Sequence, residues 1–320
     1  MKNTTIVIKV VVVIAIATIF LSTPLLQPVV ANKHFDIYKI PIQKAAVEDI
    51  DIAYKKFGNG TNTILLISGG SNTMNFWDPS LLSQLAKNNT VIVFDSRGIG
   101  NTTSGEKTFS IKQFANDTAA LLDAIGVTTK VDVMGFSLGS LVAQEVTYMH
   151  QDKVNRLILY GSMCGGKDAV PPSPVLQNYT NALQDPERTN STSDAETYGV
   201  LDDVLFPIDW MQENPDYMTK IPRQGVSINA SDATKLLGAF MSWTQTESCN
   251  KLSTIKVPTL IIVGTDDLVT VPQNSLNLVK GIPGAWLIQI DGGGHGVMFQ
   301  YPEVFADAVQ LFSESSTTTQ

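Results

Sequence analysis

The stretch Lys130-Val131-Asp132-Val133-Met134-Gly135-Phe136-Ser137-Leu138-Gly139 sets a serine between two glycines, at the point where an apolar run gives way to helical spacing. Val131, Val133 and Met134 read as a short buried strand, and Leu138, Leu141, Val142 and Val146 recur along one helix face just afterwards. A serine at so sharp a strand-to-helix turn takes a strained backbone conformation. Its neighbours two residues away must then be small enough to clear the crossing strand and helix. Gly135 and Gly139 meet that demand. The turn exposes the serine oxygen and aims the backbone N–H of Leu138 at whatever that oxygen attacks. Ser137 is thus a candidate nucleophile and Leu138 a candidate oxyanion donor.

A serine hydroxyl needs a base to take its proton, and the chain holds three histidines. His34 follows the apolar N-terminal segment, and His150 falls at the far end of the helix after Ser137, so neither suits the task. His295 lies in Asp291-Gly292-Gly293-Gly294-His295-Gly296, after the strand-like run Ala285 to Ile290. Glycines there free a loop to carry the imidazole across to the serine. A carboxylate should orient that imidazole and stabilise its cation. The buried run Thr259 to Val263 ends at Gly264, and Asp266 and Asp267 follow at its carboxyl end, where open α/β sheets build their sites. One aspartate is expected in the site, the other in the turn.

With these three segments in Ser-Asp-His order, the chain resembles the α/β-hydrolase fold family from about Val47 to about Phe312. The resemblance implies an α/β fold with a mostly parallel eight-stranded sheet flanked by helices. Thr63 to Ser68 would be its third strand, Thr90 to Phe94 the fourth, Val131 to Met134 the fifth, Val154 to Tyr160 the sixth, Thr259 to Val263 the seventh and Trp286 to Ile290 the eighth. In related sequences the acid stands three residues after the glycine closing the seventh strand, which selects Asp267. The family's second oxyanion donor comes from the turn after the third strand, here Ser68-Gly69-Gly70-Ser71, and Gly70 is expected to supply it. Ser68 stands where the family usually has histidine. Asp95-Ser96-Arg97-Gly98-Ile99-Gly100 resembles the family's turn after the fourth strand and reads as a structural clasp of Arg and Asp. Asn75, Phe76 and Trp77 are either pocket walls or, for the aromatics, core.

The same resemblance places a helical cap after the sixth strand. The segment from Gly165 to Asn250 turns proline-rich and polar, and a loop of that length should hold short helices. Domain boundaries follow: residues 32–164 and 251–314 as core, 165–250 as cap, and 315–320 as a flexible tail. Trp210, Met211, Phe240, Met241 and Trp243 either line an apolar substrate site or fasten the cap to the core. The two cysteines, Cys164 and Cys249, stand at the entrance and exit of this cap. A bridge across its base is expected, with two buried thiols as the alternative.

Lys2 and Lys9 flank or enter the apolar run Val10 to Leu21, and Val29-Val30-Ala31 offers a cleavage-like site, so residues 1–31 read as a signal peptide or an N-terminal anchor. Localisation outside the cytosol is expected, with the membrane touched only through that segment. Asn59, Asn88, Asn101, Asn116, Asn178, Asn190 and Asn229 each open an Asn-x-Ser/Thr sequon. Hydrophobic residues make up 43% and charged residues 16%, a globular balance. A net charge of −8 without a basic cluster argues against nucleic acid as a partner. No metal and no cofactor are expected, because the scattered histidines and cysteines lack ligand spacing.

These residues lead to an expected serine hydrolase acting on carboxylic esters or related activated acyl bonds of small apolar molecules. Peptidases, lactonases, carbon–carbon bond hydrolases, perhydrolases and hydroxynitrile lyases share such a serine elbow and stay open, as does a non-catalytic ligand-binding protein of the same fold.

Overall fold

The computed structural model describes residues 35–174, 205–219, 221–222 and 228–315. Eight strands form one sheet: β1 (Gln43–Val47), β2 (Ile50–Phe57), β3 (Asn62–Ile67), β4 (Asn89–Phe94), β5 (Val131–Phe136), β6 (Val154–Tyr160), β7 (Thr259–Gly264) and β8 (Trp286–Ile290). Their order is β1-β2-β4-β3-β5-β6-β7-β8. The pairs β1·β2 and β2·β4 are antiparallel, and every later pair is parallel. The chain runs outward from β3 to β4 and then returns to the other flank of β3 with β5. The carboxyl ends of β3 and β5 therefore bound a topological switch point, where sheets of this kind hold their ligands.

Helices cover both faces of the sheet, so the central strands are continuous apolar runs with both faces buried. Every residue of β5 and of β7 is buried. Alternation divides them between two cores. Leu65, Ile67 and Val133 face one cluster, and Ile64, Leu66 and Met134 the other. Helix α1 (Pro79–Asn88) starts at Asp78, whose carboxylate accepts the Leu81 N–H, and has proline in its first turn; it buries Leu81, Leu82 and Leu85. Helix α2 (Ile111–Ala124) is capped by Ser110, which accepts the Gln113 N–H. Helix α3 (Leu138–Met149) follows Ser137 directly and is buried along most of its length.

Strands three, four and six to eight lie within a residue of where the sequence puts them. Strand five runs two residues further, to Phe136, because Gly135 and Phe136 keep their register with Leu159 and Tyr160 of β6. The Asp95–Gly100 turn is the expected clasp. Arg97 is buried and makes paired hydrogen bonds to both Asp117 (2.8 and 2.8 Å) and Asp49 (3.0 and 2.8 Å).

Between β6 and β7 the described residues include helices α4 (Ile208–Glu213) and α5 (Ala230–Thr244). Much of the segment assigned to a cap, and all of residues 1–34 and 316–320, lie outside the described residues. Cys164 and Cys249 are bonded to each other, with Cα atoms 5.0 Å apart. Backbone joins the same two ends, since the Cys249 N–H donates to Gly165 O at 3.2 Å. Helix α5 is fastened to α3 by Trp243, whose indole N–H donates to buried Glu145 at 2.9 Å. After β7 come α6 (Pro272–Gly281), then β8, the short α7 (Val297–Gln300) and α8 (Pro302–Ser315). No helix among the described residues is long and apolar enough to cross a membrane.

Candidate active site

Ser137 sits between β5 and α3 with φ 50° and ψ −123°, a left-handed conformation that a side chain rarely adopts. The glycines on either side make this turn buildable. A Cβ on Gly135 would lie 2.4 Å from Gly139 O, and one on Gly139 would lie 2.2 Å from Ile67 O. The strained residue is held by its own backbone: its N–H donates to Tyr160 O at 2.9 Å, and its carbonyl accepts the Ser140 N–H at 2.8 Å. Leu138 is the first residue of α3, so its N–H stands outside the intrahelical ladder.

The turn after β3 passes close over the serine. A Cβ on Gly69 would come within 2.7 Å of Ser137 Cβ, whereas one on Gly70, at φ 51°, would meet nothing within 4 Å. Gly70 thus borders open space beside the elbow.

His295 and Asp267 converge from the ends of β8 and β7. Nδ1 of the imidazole lies 2.9 Å from Asp267 Oδ2, and both residues are buried. The other carboxylate oxygen, Oδ1, accepts the N–H groups of Val269 (2.8 Å) and Thr270 (2.9 Å), and the Thr270 hydroxyl donates to Oδ2 at 2.9 Å. An ionised carboxylate on Nδ1 fixes the proton there and leaves Nε2 as an acceptor. The neighbouring aspartate has a different place: Asp266 is exposed, and its backbone N–H donates to Gly293 O at 2.8 Å. Of the two aspartates, Asp267 is the one that meets the histidine.

Three side chains around His295 carry no sequence signal of that role. The Phe136 ring lies 4.9 Å from the His295 ring and 4.7 Å from the Tyr160 ring. The buried Tyr160 hydroxyl donates to the His295 carbonyl, and burial drives its pKa well upward, so it stays a neutral donor. Thr270, described above, completes the set. A further steric condition comes from Gly161, where a Cβ would sit 2.8 Å from His295 Cε1.

The glycines of the histidine loop serve close packing as well as freedom. A Cβ on Gly264 would strike Gly293 O at 2.0 Å, and one on Gly294 would strike Leu205 O at 2.5 Å. The Gly296 N–H donates to that same Leu205 O at 2.7 Å, so the segment leading into α4 lies directly on the loop.

The candidate pocket residues scatter. Trp77 has no exposed surface and packs edge-on against Phe136 at 6.5 Å, so it is core and not a wall. Trp243 is likewise buried, taken up by its bond to Glu145. Met241 is 53% exposed on the outer face of α5. Phe240 is half-buried against the core cluster under α5. Trp210 and Met211 are half-buried, and Trp210 stacks on Phe206 at 5.0 Å; a Cβ on Gly296 would lie 2.9 Å from the Phe206 ring. Periodicity alone could not separate the aromatic that reaches the histidine loop from those that fasten a helix. A cleft lined by Pro171, Pro172, Pro207, Ile208 and Leu268 opens beside Asp266 and Asp267.

The family model described as alpha/beta hydrolase fold matches residues 62–302. The chain belongs to that family. Among its relatives is the protein provisionally named carbamate hydrolase RutD of Azorhizobium caulinodans, 27% identical over 82% of this chain and 95% of its own. Another, provisionally named non-heme bromoperoxidase BpoC, from Mycobacterium tuberculosis, is 26% identical over 83% and 98%. Of the solved structures, an alpha/beta hydrolase fold protein from Chitinophaga pinensis superposes with a TM-score of 0.72 at 22% identity, covering 87% of this chain and 98% of that one. A thermophilic esterase from Thermogutta terrifontis gives 0.68 at 22% identity, over 86% and 98%. This α/β-hydrolase is accordingly an enzyme of the family, with the family's sheet.

Proposed function

We propose that this α/β-hydrolase is an exported, cofactor-independent serine hydrolase that cleaves carboxylic esters or related activated acyl bonds of small apolar substrates. The observation that carries the reading is the buried 2.9 Å pair of His295 and Asp267, on the sheet edge that presents the strained Ser137. In the proposed reaction the Ser137 oxygen attacks the acyl carbon while His295 Nε2 takes its proton. The carbonyl becomes an oxyanion, received by the N–H groups of Leu138 and Gly70. His295 returns the proton to the leaving alcohol as the bond to it breaks. Water, deprotonated by the same imidazole, then attacks the acyl carbon, and the imidazolium returns that proton to the Ser137 oxygen as its bond to the acid breaks. Asp267 holds the tautomer and stabilises the imidazolium each time it forms.

Export is supported by the Cys164–Cys249 bond, since disulfides form and persist mainly outside the cytosol, and by the charge and apolar pattern of residues 1–31. A cap over residues 165–250 is supported by α4 and by the way Leu205 and Phe206 lie on the histidine loop. The cleft beside Asp267 is lined by prolines, Ile208 and Leu268 together with Asp209 and Asp266, and of the proposed catalytic residues it reaches Asp267 alone. The relative's name favours a carbamate as one such activated acyl group. A panel of esters of rising acyl length beside matched aryl carbamates, assayed with the secreted protein and with Ser137→Ala, tests the reading. Turnover of at least one class, abolished in the variant, is expected, and turnover unchanged in the variant would overturn it.

A further inference from the structure

The turn after β3 has to be held in place by something, because the residue that opens it, Ser68, is small, and its hydroxyl makes one 3.2 Å bond to Thr73 O. Two buried charges grip the returning limb of this turn from below. Asp95, at the end of β4 and without exposed surface, accepts the Met74 N–H on Oδ1 at 2.7 Å, while its Oδ2 accepts the Asn101 N–H at 2.8 Å. Lys55, on β2 and 2% exposed, donates from Nζ to Asn75 Oδ1 at 2.8 Å and to Ile37 O at 2.8 Å. The ammonium thus ties the N-terminal turn at Ile37–Lys39 to the same loop.

Burying these charges is costly, and an apolar pair of like volume serves stability as well or better. What an apolar pair could not do is point a backbone amide and a side-chain amide of consecutive residues at fixed positions. Burial pushes the Lys55 ammonium down in pKa and the Asp95 carboxyl up, and the opposite charge of each partner offsets part of both shifts. Gly70, four residues before Met74, has open space where a Cβ would stand, and its neighbour Gly69 lies against Ser137.

We propose that Lys55 and Asp95 are positioning residues for the Gly70 N–H, locking the turn after β3 so that its donor points at the developing oxyanion. The proposal rests on the serine hydrolase reading and on Gly70 as donor. A donor displaced by about 1 Å forfeits much of its value in the transition state while substrate binding changes little.

The test uses the full chain carrying Lys55→Met, Asp95→Asn or Asn75→Ala, the last a half-buried loop residue whose loss leaves both charges in place. Peptide-level hydrogen exchange over residues 68–77 is read beside kcat, KM and the inhibition constant of an alkyl boronic acid, whose tetrahedral adduct occupies the oxyanion position. Faster exchange in that peptide is expected in each folded variant. With it, kcat should fall about 10- to 100-fold, KM should change less than about 3-fold, and boronate affinity should follow kcat/KM. Lys55→Arg should recover most of the loss. Unchanged exchange, or faster exchange with wild-type kcat and boronate affinity in Asn75→Ala, overturns the proposal. If the wild-type protein neither turns over esters nor binds the boronate, the hydrolase reading itself has failed, and the positioning role falls with it.

Discussion

Asp267 meets His295 with one oxygen, 2.9 Å from Nδ1, and spends the other on the N–H groups of Val269 and Thr270. The carboxylate is thereby oriented by its own turn, and an asparagine oxygen at this position can accept the same two N–H groups. Asp267→Asn should leave the fold intact, reverse the preferred tautomer and lower turnover by roughly 10⁴. Asp266→Asn, at an exposed position, should cost less than about tenfold. Steady-state kinetics of the two variants with circular dichroism as control checks this, and the opposite order would move the acid to Asp266.

Nucleophile and base act as one unit in the proposed chemistry. Ser137→Ala and His295→Ala should each reduce kcat by about 10⁶, and the double variant by little more. Additive losses in a log-scale cycle would contradict a shared proton transfer.

Two glycines near the elbow should answer very differently to alanine. At Gly139 a methyl group would collide with Ile67 O at 2.2 Å and Ser68 O at 2.4 Å, both backbone, so Gly139→Ala should destabilise by about 3 kcal/mol or abolish folding. At Gly70 the methyl meets open space, and only the φ of 51° opposes it, so Gly70→Ala should cost about 1–2 kcal/mol and keep its N–H. Urea unfolding of both variants measures the difference.

The bridge between Cys164 and Cys249 closes a loop with a sequence separation of 85. In the chain-entropy account such a closure is worth about 4–5 kcal/mol. Reduction, or Cys164→Ser with Cys249→Ser, should lower Tm by roughly 10 °C while leaving Ser137 reactive at 25 °C. Calorimetry with and without reductant checks the first part, and retained turnover the second.

Acid should weaken the clasp around Arg97. The guanidinium beside Asp49, helped by the N–H groups of Lys107 and Glu106, holds that carboxyl well below the usual aspartate range against the opposing effect of burial. A depressed folded pKa gives stability that is complete above the ordinary aspartate value of about 4 and is lost as pH falls through the folded one. Asp49→Asn should be less stable than wild type at pH 7, and the gap should narrow below about pH 4, as denaturant midpoints measured from pH 7 to pH 2.5 will show.

Much of the sheet and the placing of Ser137, Asp267 and His295 were legible in the sequence. The cause is local: a strained serine demands glycines at fixed offsets, and a parallel strand buried on both faces writes itself as a short apolar run. Phe136, Tyr160 and Thr270 were not legible as partners of His295. Their contacts join residues from β5, β6 and the turn after β7, and periodicity reports that a side chain is buried without reporting against what. The same limit explains Trp77 and Trp243, whose apolar bulk suits a core and a pocket wall equally until the packing is seen.

Fluorophosphonate labelling of the full chain, located by peptide mass spectrometry, tests the role of Ser137 most directly. One adduct is predicted, on Ser137, absent from Ser137→Ala and strongly slowed in His295→Ala and Asp267→Asn. An adduct on another serine, or labelling of Ser137 at the same rate in His295→Ala, would contradict the proposed nucleophile and base.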